Sequence, residues 1–536
     1  MSESWDVVIV GAGAAGCVLA DRLSADARLR VLLLEAGGPD RSPWIKIPAG
    51  FARTLFDPAL GWGYVNAASA AVAGREIPCP RGRVLGGSSS INGHLYVRGQ
   101  ARDYDDWAAQ GARGWAWADV LPVFKRSETR LGGDPRWRGR DGPLHVTDLP
   151  MRHPICEAFL QSLEALGERR NPDYNSGDQQ GCGYYQTLIR AGRRWSAADA
   201  WLRAAMRRPN LAVRMHALAT RVLFDGRRAV GIEYREQGRI RQALARVEVI
   251  LAAGAINTPQ LLQLSGVGPP ELLQSHGIET IHCAPGVGAG LVDHYAVRVA
   301  ARVRGRSSLN ERSHGLPLLG ELARYALRRR GLLASPVAHA HAFIALGDAS
   351  QRPDTQLLFT PASYPSGRMG QAGLEREAGL TCGVCVLRPH SRGHVRIRSR
   401  DAMTAPEIQP NYLSDPRDLA LTMAAVRYVR RLYHTPPLAD IVTHETWPGA
   451  QVHDDEALES FVRQTGSTVY HPVGTCAMGS AADAPLTDRL ALKGLAGLRV
   501  IDASAMPSMV SGNTYAATIM IAERGAEFVL ADLNRH

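Results

Sequence analysis

The sequence of 536 residues lacks the features of several classes of protein. No apolar run reaches the roughly 20 residues that span a bilayer, so we predict no transmembrane segment. No cationic region precedes the first apolar segment, which argues against a signal peptide. The eight cysteines are widely scattered, which favours free thiols in a reducing compartment. These absences predict a cytoplasmic protein, and they leave open a peripheral association with the inner membrane.

Lysine is almost absent, because only Lys46, Lys125 and Lys493 occur. The formal net charge of +11 therefore rests on arginines, which are scattered along the chain. We predict no nucleic-acid partner, since no basic stripe alternates with aromatic residues. Aromatic residues make up 6% of the chain, and no cluster of them suggests a cage for a quaternary ammonium such as choline.

Residues that commonly bind metals are present but poorly grouped. Cys382 and Cys385 form a single CxxC in an apolar run, which favours core packing over a zinc or redox site. His339, His341 and Phe343 alternate with small residues, so on a strand they would share one face. No carboxylate or cysteine lies near them in the sequence, so we predict no metal. Cavity lining and ordinary strand packing both stay open for the two histidines.

The most informative segment is the N-terminal one. Apolar residues 7–10 lead into a GxGxxG motif, and a second apolar run ends at Glu35. Gly11 allows a tight turn off the strand, Gly13 lets backbone approach a pyrophosphate, and Gly16 lets the following helix pack closely. The helix N-terminus favours phosphate, and Glu35 can accept hydrogen bonds from a ribose. The segment therefore predicts a dinucleotide-binding site.

The rest of the chain contains further pieces of such a domain. The glycine- and serine-rich segment 80–93 can press backbone against a flat ligand. Residues 211–254 are typical of short strands, and a helix is predicted to begin near Asn257–Gln260. Residues from about 295 to 465 contain alternating segments, which indicate an antiparallel sheet with one solvated face. A buried strand at 498–504 ends at an acid, and the last segment has helical periodicity.

In combination, five blocks of this sequence resemble the glucose–methanol–choline (GMC) flavin oxidoreductases. The blocks are residues 11–16, 82–99, 254–269, 470–475 and 502–514. The resemblance extends over nearly the whole chain and is closest to the choline-dehydrogenase-like bacterial alcohol dehydrogenases. It implies FAD as the cofactor, a small-molecule alcohol as the substrate, and a quinone, a dye or O2 as the electron acceptor. It leaves open whether the protein forms a homo-oligomer.

The resemblance also implies an α/β fold with two discontinuous domains. A Rossmann-like FAD-binding domain is expected from residues 1–155, 200–295 and 465–536. Residues 156–199 and 296–464 are expected to form an α+β substrate-binding domain built on an antiparallel sheet.

The residues expected at FAD follow from matching these blocks to the family. Val84, Gly87, Asn92, Gly93 and Leu95 are implied along the isoalloxazine and pyrophosphate, Val222 and Ala253 at the adenine, Asp502 and Ala503 at the pyrophosphate and ribityl chain, and Asn513 and Thr514 at the flavin ring. The other expected contacts are Gly11, Gly13, Ala14, Ala15, Gly16, Glu35, Ala36, Arg83, Ser88, His94, Gly254 and Tyr470. Family members that link FAD through a histidine have it where this chain has Ile91, so we predict non-covalent FAD.

His471 and Asn513 are the predicted catalytic residues. Oxidising a primary alcohol to the aldehyde removes a hydroxyl proton and a hydride, and the resemblance implies that flavin N5 takes the hydride. His471 is the expected base, because an imidazole accepts a proton near neutral pH. Asn513 can donate a hydrogen bond to the substrate oxygen as negative charge develops there. Asn513 can also cap the C-terminal helix.

The chain departs from the family pattern close to the expected flavin. His94 replaces a common methionine, and Tyr515–Ala517 replaces a segment that commonly contains proline. A less polar primary alcohol, aliphatic or aryl, is the expected substrate. Three other functions stay open: an oxidase that uses O2 and makes H2O2, a lyase with structural FAD like those that cleave hydroxynitriles, and a non-catalytic nucleotide-binding protein. The presence of both His471 and Asn513 argues against the last of these.

Overall fold

Two seven-stranded sheets and the helices packed on them organise the protein. The computed structural model describes residues 3–149, 151–347, 352–365 and 373–534. We call the sheet that contains the N-terminal strand the first sheet and the other the second sheet.

The first sheet is built on parallel strands, and its central ones are buried on both faces where they approach their carboxyl ends. Its strands, in spatial order, are Leu211–Arg214, Val31–Leu34, Glu3–Val10, Arg239–Leu251, Arg228–Glu236 and Ala217–Asp225, and Leu498–Val500 pairs with Arg239–Leu251. The first four strands of this order pair in parallel, and Leu498–Val500 also pairs in parallel with Arg239–Leu251. The pairings of Arg228–Glu236 with both of its neighbours are antiparallel. Parallel strands need crossover connections that cover the sheet, which explains the continuous apolar runs at 7–10 and 31–34.

The second sheet is antiparallel, as predicted, but its central strands are buried on both faces. Its strands, in spatial order, are Val442–Trp447, Tyr295–Val303, Gly379–Val386, Thr355–Thr360, Ala340–Ile344 and Gly181–Tyr184, and Ser467–Thr468 pairs with Tyr295–Val303. Every residue of Ala340–Ile344 and Gly379–Val386 is buried. Helices Pro154–Ala165 and Pro416–Tyr433 pack on one face, and the other face closes a cavity. The prediction of a solvated face is therefore wrong for this sheet.

The helix Gly254–Leu264 begins earlier than the predicted start near Asn257–Gln260. Pro259 thus lies inside the helix, where it cannot donate to the carbonyl of Ala255. The hydroxyl of Thr475 donates to that carbonyl instead, at 2.7 Å. A distant side chain supplies the hydrogen bond that the proline removes, which the local sequence does not indicate.

The helices and two smaller sheets have the following bounds. The longer helices are Ala14–Ser24, Ala101–Ala109, Trp117–Ser127, Pro154–Ala165, Gly254–Leu264, Gly315–Arg328, Pro416–Tyr433, Asp455–Thr465 and Tyr515–Leu533. The short helices are Pro43–Lys46, Phe51–Thr54, Arg203–Ala205, Pro270–Ser275, Leu309–Arg312 and Leu438–Ile441, with a π-helix at Ala198–Leu202. Small sheets pair Val65–Ser69 with Arg75–Pro78, and Gly393–Arg396 with Ala289–Leu291 and Glu407–Gln409. In the described ranges, no helix has both the length and the apolar character needed to cross a membrane.

The chain crosses between the two sheets shortly before the predicted base. Ser467–Thr468 lies in the segment 465–536 that we assign to the FAD-binding domain, yet it pairs with strand Tyr295–Val303 of the second sheet. The residues that follow Thr468 therefore lie at the junction of the sheets. The domain boundaries themselves stay a prediction.

Candidate active site

A cavity of about 310 Å³ lies where the carboxyl ends of first-sheet strands meet one face of the second sheet. Val10, Leu34 and Ala252 line it from the first sheet, at or just after the ends of three neighbouring strands. Arg298 and Thr381 line it from the second sheet. Open α/β sheets bind their ligands at this edge, so the cavity is the candidate active site.

The three glycines of the N-terminal motif have different surroundings. Gly11 has a φ of +98°, and a Cβ there would lie 2.7 Å from the carbonyl oxygen of Ala252. A Cβ on Gly16 would lie 1.8 Å from the carbonyl oxygen of Gly11, so the helix packs directly on the turn. No described atom lies within 4 Å of a Cβ built on Gly13, which lines the cavity. The N-terminus of helix Ala14–Ser24 is therefore open to a ligand, as a pyrophosphate requires.

The glycine- and serine-rich loop lies directly against this motif. Gly87 has a φ of +54°, and a Cβ there would lie 2.7 Å from the Cα of Gly13. The N–H of Gly82 donates to the hydroxyl of Ser88 at 3.1 Å, which closes the loop on itself. Gly87 and Gly13 thus bring two backbones together along one wall of the cavity. Such a wall suits a flat ligand, because few side chains project from it.

Two buried carboxylates line the cavity on the first-sheet side. Glu35 accepts the N–H groups of Ala12 and Gly37, each at 2.8 Å, and burial raises its pKa to about 7. Asp502 accepts the N–H of Gly254 at 2.8 Å, and burial raises its pKa as well. Glu35 therefore has lone pairs left to accept a ligand hydroxyl. The Asp502 carboxylate also accepts the hydroxyl of Thr258 and both the N–H and the hydroxyl of Ser504, so its lone pairs are already used within the protein.

His471 belongs to a line of hydrogen-bonding groups at the edge of the cavity. Its Nε2 lies 3.0 Å from Nδ2 of Asn513, and its Nδ1 lies 3.0 Å from Nδ1 of His294. The Nε2 of His294 lies 2.8 Å from the carbonyl oxygen of Leu387. The structure therefore brings the two predicted catalytic residues together and adds a second histidine that the sequence analysis missed.

The carbonyl of Leu387 determines where the protons lie along this line. A carbonyl only accepts, so His294 carries its proton on Nε2, and the Nδ1 of neutral His294 is an acceptor. His471 must then donate from Nδ1, which leaves a lone pair on its Nε2. The Asn513 amide donates to that lone pair. Donation thus runs in one direction, and the basic nitrogen of His471 is presented beside Asn513.

The surroundings keep His471 neutral. Burial lowers its pKa well below the usual value, and the positive charges of His294, when protonated, and Arg81 lower it further. Burial also lowers the pKa of His294. A neutral imidazole has the lone pair that a general base needs, so His471 is prepared to accept a proton.

Asp293 fixes the backbone that carries both histidines. Its Oδ1 accepts the N–H of His471 at 2.7 Å and the N–H of His294 at 2.9 Å. Its other oxygen accepts the hydroxyls of Tyr412 and Thr468. Asp293 was not among the residues predicted from the sequence. The one signal was an Asp–His pair directly before an apolar, strand-like segment.

Most of the residues predicted to bind the cofactor line the cavity. They are Gly11, Gly13, Ala14, Ala15, Glu35, Ala36, Gly87, Ser88, Asn92, Gly93, His94, Leu95, Ala253, Gly254, Tyr470, Asp502, Ala503, Asn513 and Thr514. Gly16, Arg83, Val84 and Val222 are not among the lining residues. Val222 is buried, with its N–H donating to the hydroxyl of Ser265 at 2.8 Å. Ala217, Leu218 and Ala219 of the same strand line the cavity instead.

His339 and His341 are buried in the second sheet and are not among the cavity-lining residues. The ring of His341 lies 4.3 Å from that of Tyr174 and 5.0 Å from those of Tyr185 and Phe343. Burial lowers the pKa of both histidines to about 3. Of the two alternatives left by the sequence, the structure supports packing in the core.

The CxxC pair is also buried. Cys382 and Cys385 lie within strand Gly379–Val386, and burial raises the pKa of both thiols. Among the residues that the structure describes, no group of three or more His, Cys, Asp or Glu side chains is placed to hold a metal ion.

Fold and site together define an oxidoreductase with a dinucleotide cofactor. Family models of GMC oxidoreductases match residues 5–296 and 389–522. An alcohol dehydrogenase (acceptor) of Pseudomonas putida is 40% identical over 98% of this chain and 96% of its own. The mitochondrial choline dehydrogenase of Homo sapiens is 39% identical over 98% of this chain and 90% of its own. A solved pyridoxine 4-oxidase from Mesorbium loti has a TM-score of 0.88 and 31% identity, with 99% of each chain covered.

The chain belongs to the GMC oxidoreductase family. Membership confirms the predicted fold class, the predicted enzyme class, an oxidoreductase that acts on CH–OH groups, and FAD as cofactor. The cavity fits this cofactor, because Gly13 opens a helix N-terminus for the pyrophosphate and Glu35 offers lone pairs to ribose hydroxyls. The roles of the individual residues and the non-covalent state of FAD stay predictions.

Proposed function

We propose that the protein oxidises a primary alcohol to the aldehyde, with His471 as the base, and passes the electrons to a quinone or another acceptor. The observation that carries this proposal is the line from Leu387 through His294 to His471, which leaves a proton-accepting nitrogen beside Asn513. The relatives named alcohol dehydrogenase and choline dehydrogenase support an alcohol as the substrate.

The line of hydrogen bonds gives the substrate proton a defined destination. A hydroxyl that enters between Asn513 and His471 donates its hydrogen to Nε2 and accepts the amide N–H on its oxygen. As the proton moves to Nε2, the bond from Nδ1 to His294 holds the ring in place. The Asn513 amide then stabilises negative charge on the substrate oxygen. Bound FAD supplies the acceptor for the hydride that leaves the same carbon.

We also propose that FAD is held without a covalent bond. Ile91, at the position of the family's linking histidine, is an aliphatic residue buried with Ile45, Leu60 and Val84. Denaturation in acid should release all the flavin into the supernatant. Flavin that stays with the precipitated protein would contradict this proposal.

Anaerobic addition of a primary alcohol to the flavin-loaded protein tests the proposed function. We expect loss of the flavin's visible absorbance and one aldehyde formed for each flavin reduced. In air, dye reduction without hydrogen peroxide indicates a dehydrogenase, whereas peroxide formed at the rate of alcohol oxidation indicates the oxidase alternative. Cleavage of a hydroxynitrile, with no loss of absorbance on addition of any alcohol, would overturn the proposal in favour of a lyase.

A further inference from the structure

Arg298 is a cation in the cavity without a partner among the described residues. It lies on strand Tyr295–Val303 of the second sheet and is partly buried. It forms no hydrogen bond and no ion pair with the described part of the chain. Arg302, four residues further along the same strand, pairs with Glu375 at 2.5 Å and with Glu377 at 3.0 Å. Arg302 is thus neutralised by two carboxylates, whereas no carboxylate of the described ranges pairs with Arg298.

The second sheet leaves space beside Arg298. Gly383 is its register partner on the neighbouring strand, and Leu358 is opposite Gly383 on the next strand. Among described atoms, a Cβ built on Gly383 would meet nothing closer than Leu358, at 3.7 Å. Thr381 and Thr360 form the adjacent row and also line the cavity. The guanidinium therefore adjoins an open, partly polar part of the cavity.

No acidic side chain among the described lining residues balances Arg298 on this side. Only Glu35 and Asp502 of those residues are acidic, and both lie on the first-sheet side and accept backbone N–H groups. Arg81 also lines the cavity, and its guanidinium donates to two backbone carbonyls at 2.7 Å each. The substrate side is therefore positively charged. A guanidinium binds a carboxylate through two parallel, charge-assisted hydrogen bonds.

The spacing between Arg298 and the base suggests the length of such a ligand. His294, which contacts His471, precedes Arg298 by four residues. Extended backbone places their Cα atoms about 13 Å apart, and Arg298 and His471 both line the cavity. A hydroxyl at His471 and a carboxylate at Arg298 therefore fit on one carbon chain of medium length.

We propose that Arg298 is a specificity-determining residue that binds the carboxylate of a hydroxy acid, and that the protein prefers alcohols with a distal carboxylate. The inference rests on the proposed alcohol oxidation. The carboxylate is unchanged in the reaction: the hydroxyl proton goes to His471, the carbon loses a hydride to the cofactor, and the product is an aldehyde acid. A cationic alcohol such as choline is repelled by the same guanidinium, although relatives of this chain are named choline dehydrogenases.

The test compares 6-hydroxyhexanoate, 1-hexanol and choline as reductants of the flavin under anaerobic conditions. The wild type should show a kcat/KM for 6-hydroxyhexanoate at least 10-fold above that for 1-hexanol, and choline should be the poorest of the three. In Arg298→Met the ratio of the first two values should fall about 10- to 100-fold, mainly through KM, as expected for one charge-assisted pair. Arg298→Lys should retain part of the preference for 6-hydroxyhexanoate over 1-hexanol. The matched control Arg302→Met should retain the full preference.

Binding of hexanoate, which has no hydroxyl to oxidise, gives a second readout on the holoenzyme. Calorimetry should detect hexanoate binding to the wild type and to Arg302→Met, with at least 10-fold weaker binding to Arg298→Met. Equal ratios in Arg298→Met and Arg302→Met, or hexanoate binding that does not depend on Arg298, would overturn the inference. If 1-hexanol reduces the flavin while 6-hydroxyhexanoate has no advantage, the inference fails and the proposed function stands. If none of the alcohols reduces the flavin, the proposed function fails, and hexanoate binding alone decides whether Arg298 holds a carboxylate.

Discussion

Replacing His294 by leucine removes two hydrogen bonds from the line that orients the predicted base. The Nδ1–H of His471 loses its acceptor at 3.0 Å, and the Leu387 carbonyl loses its donor at 2.8 Å. Each of these two buried polar groups costs about 1–3 kcal/mol when it has no partner, so the free energy of unfolding should fall by roughly 2–6 kcal/mol. Without the acceptor, His471 can also carry its proton on Nε2, and in that tautomer it cannot accept the substrate proton.

The expected rate follows from the same two bonds. One net hydrogen bond is worth about 1 kcal/mol, which changes the ratio of the two His471 tautomers by roughly 5-fold. A ring that is held less firmly lowers the rate further. We expect anaerobic flavin reduction in His294→Leu to be about 10- to 100-fold slower, which is less than the loss of the base itself. His294→Asn, whose amide oxygen can accept from His471, should recover part of the rate. His341→Leu removes another buried imidazole, outside the cavity lining, and serves as the control. Equal rates in His294→Leu and His341→Leu would show that His294 does not orient His471.

Three further predictions concern the cofactor site, a helix and the pH dependence of stability. Gly13→Val places a branched side chain in the space open to the pyrophosphate, so the purified protein should be colourless; a yellow protein with a full complement of FAD would contradict the assignment. Thr475→Val removes the donor to the Ala255 carbonyl and should lower the free energy of unfolding by about 1–3 kcal/mol, measured by urea denaturation, whereas Thr475→Ser should restore most of it. His341→Phe should reduce the loss of stability between pH 7 and pH 5 by about 2 kcal/mol. Burial lowers the pKa of His341 in the folded protein to about 3, whereas the pKa of a histidine in the unfolded chain is about 6.5. As the pH drops below about 6.5, His341 is therefore protonated in the unfolded chain but not in the folded protein, and the stability of the wild type falls. An unchanged pH dependence in His341→Phe would show that this histidine is not kept neutral by burial.

The glycine motif and the flanking strands could be predicted because their roles depend on local backbone. The tight turn at Gly11, the open position at Gly13 and the close packing at Gly16 each follow from a missing side chain within a few residues. The second sheet was predicted to be antiparallel because polar and apolar residues alternate within short segments of the sequence. Its buried second face was not predicted, because the cavity wall is formed by contact with another sheet.

The organisation of the candidate site depended on contacts that no local pattern records. His294 and His471 are 177 residues apart in the sequence, and their contact requires the chain to cross from one sheet to the other. Pro259 lies within a helix only because the distant Thr475 bonds the carbonyl that the proline leaves free. Arg298 was one of many scattered arginines, and only the structure shows that it lines the cavity and pairs with none of the residues described there.

The role of His471 as the base can be tested by measuring the rate of anaerobic flavin reduction in His471→Ala. The variant should stay yellow, because His471 is not needed to hold the pyrophosphate, and a primary alcohol should reduce its flavin about 10²- to 10⁴-fold more slowly than in the wild type. The exposed His453, replaced by alanine, provides the matched control and should leave the rate unchanged. Reduction of the His471→Ala flavin at the wild-type rate would contradict the account, because the proton acceptor would then have to be another group.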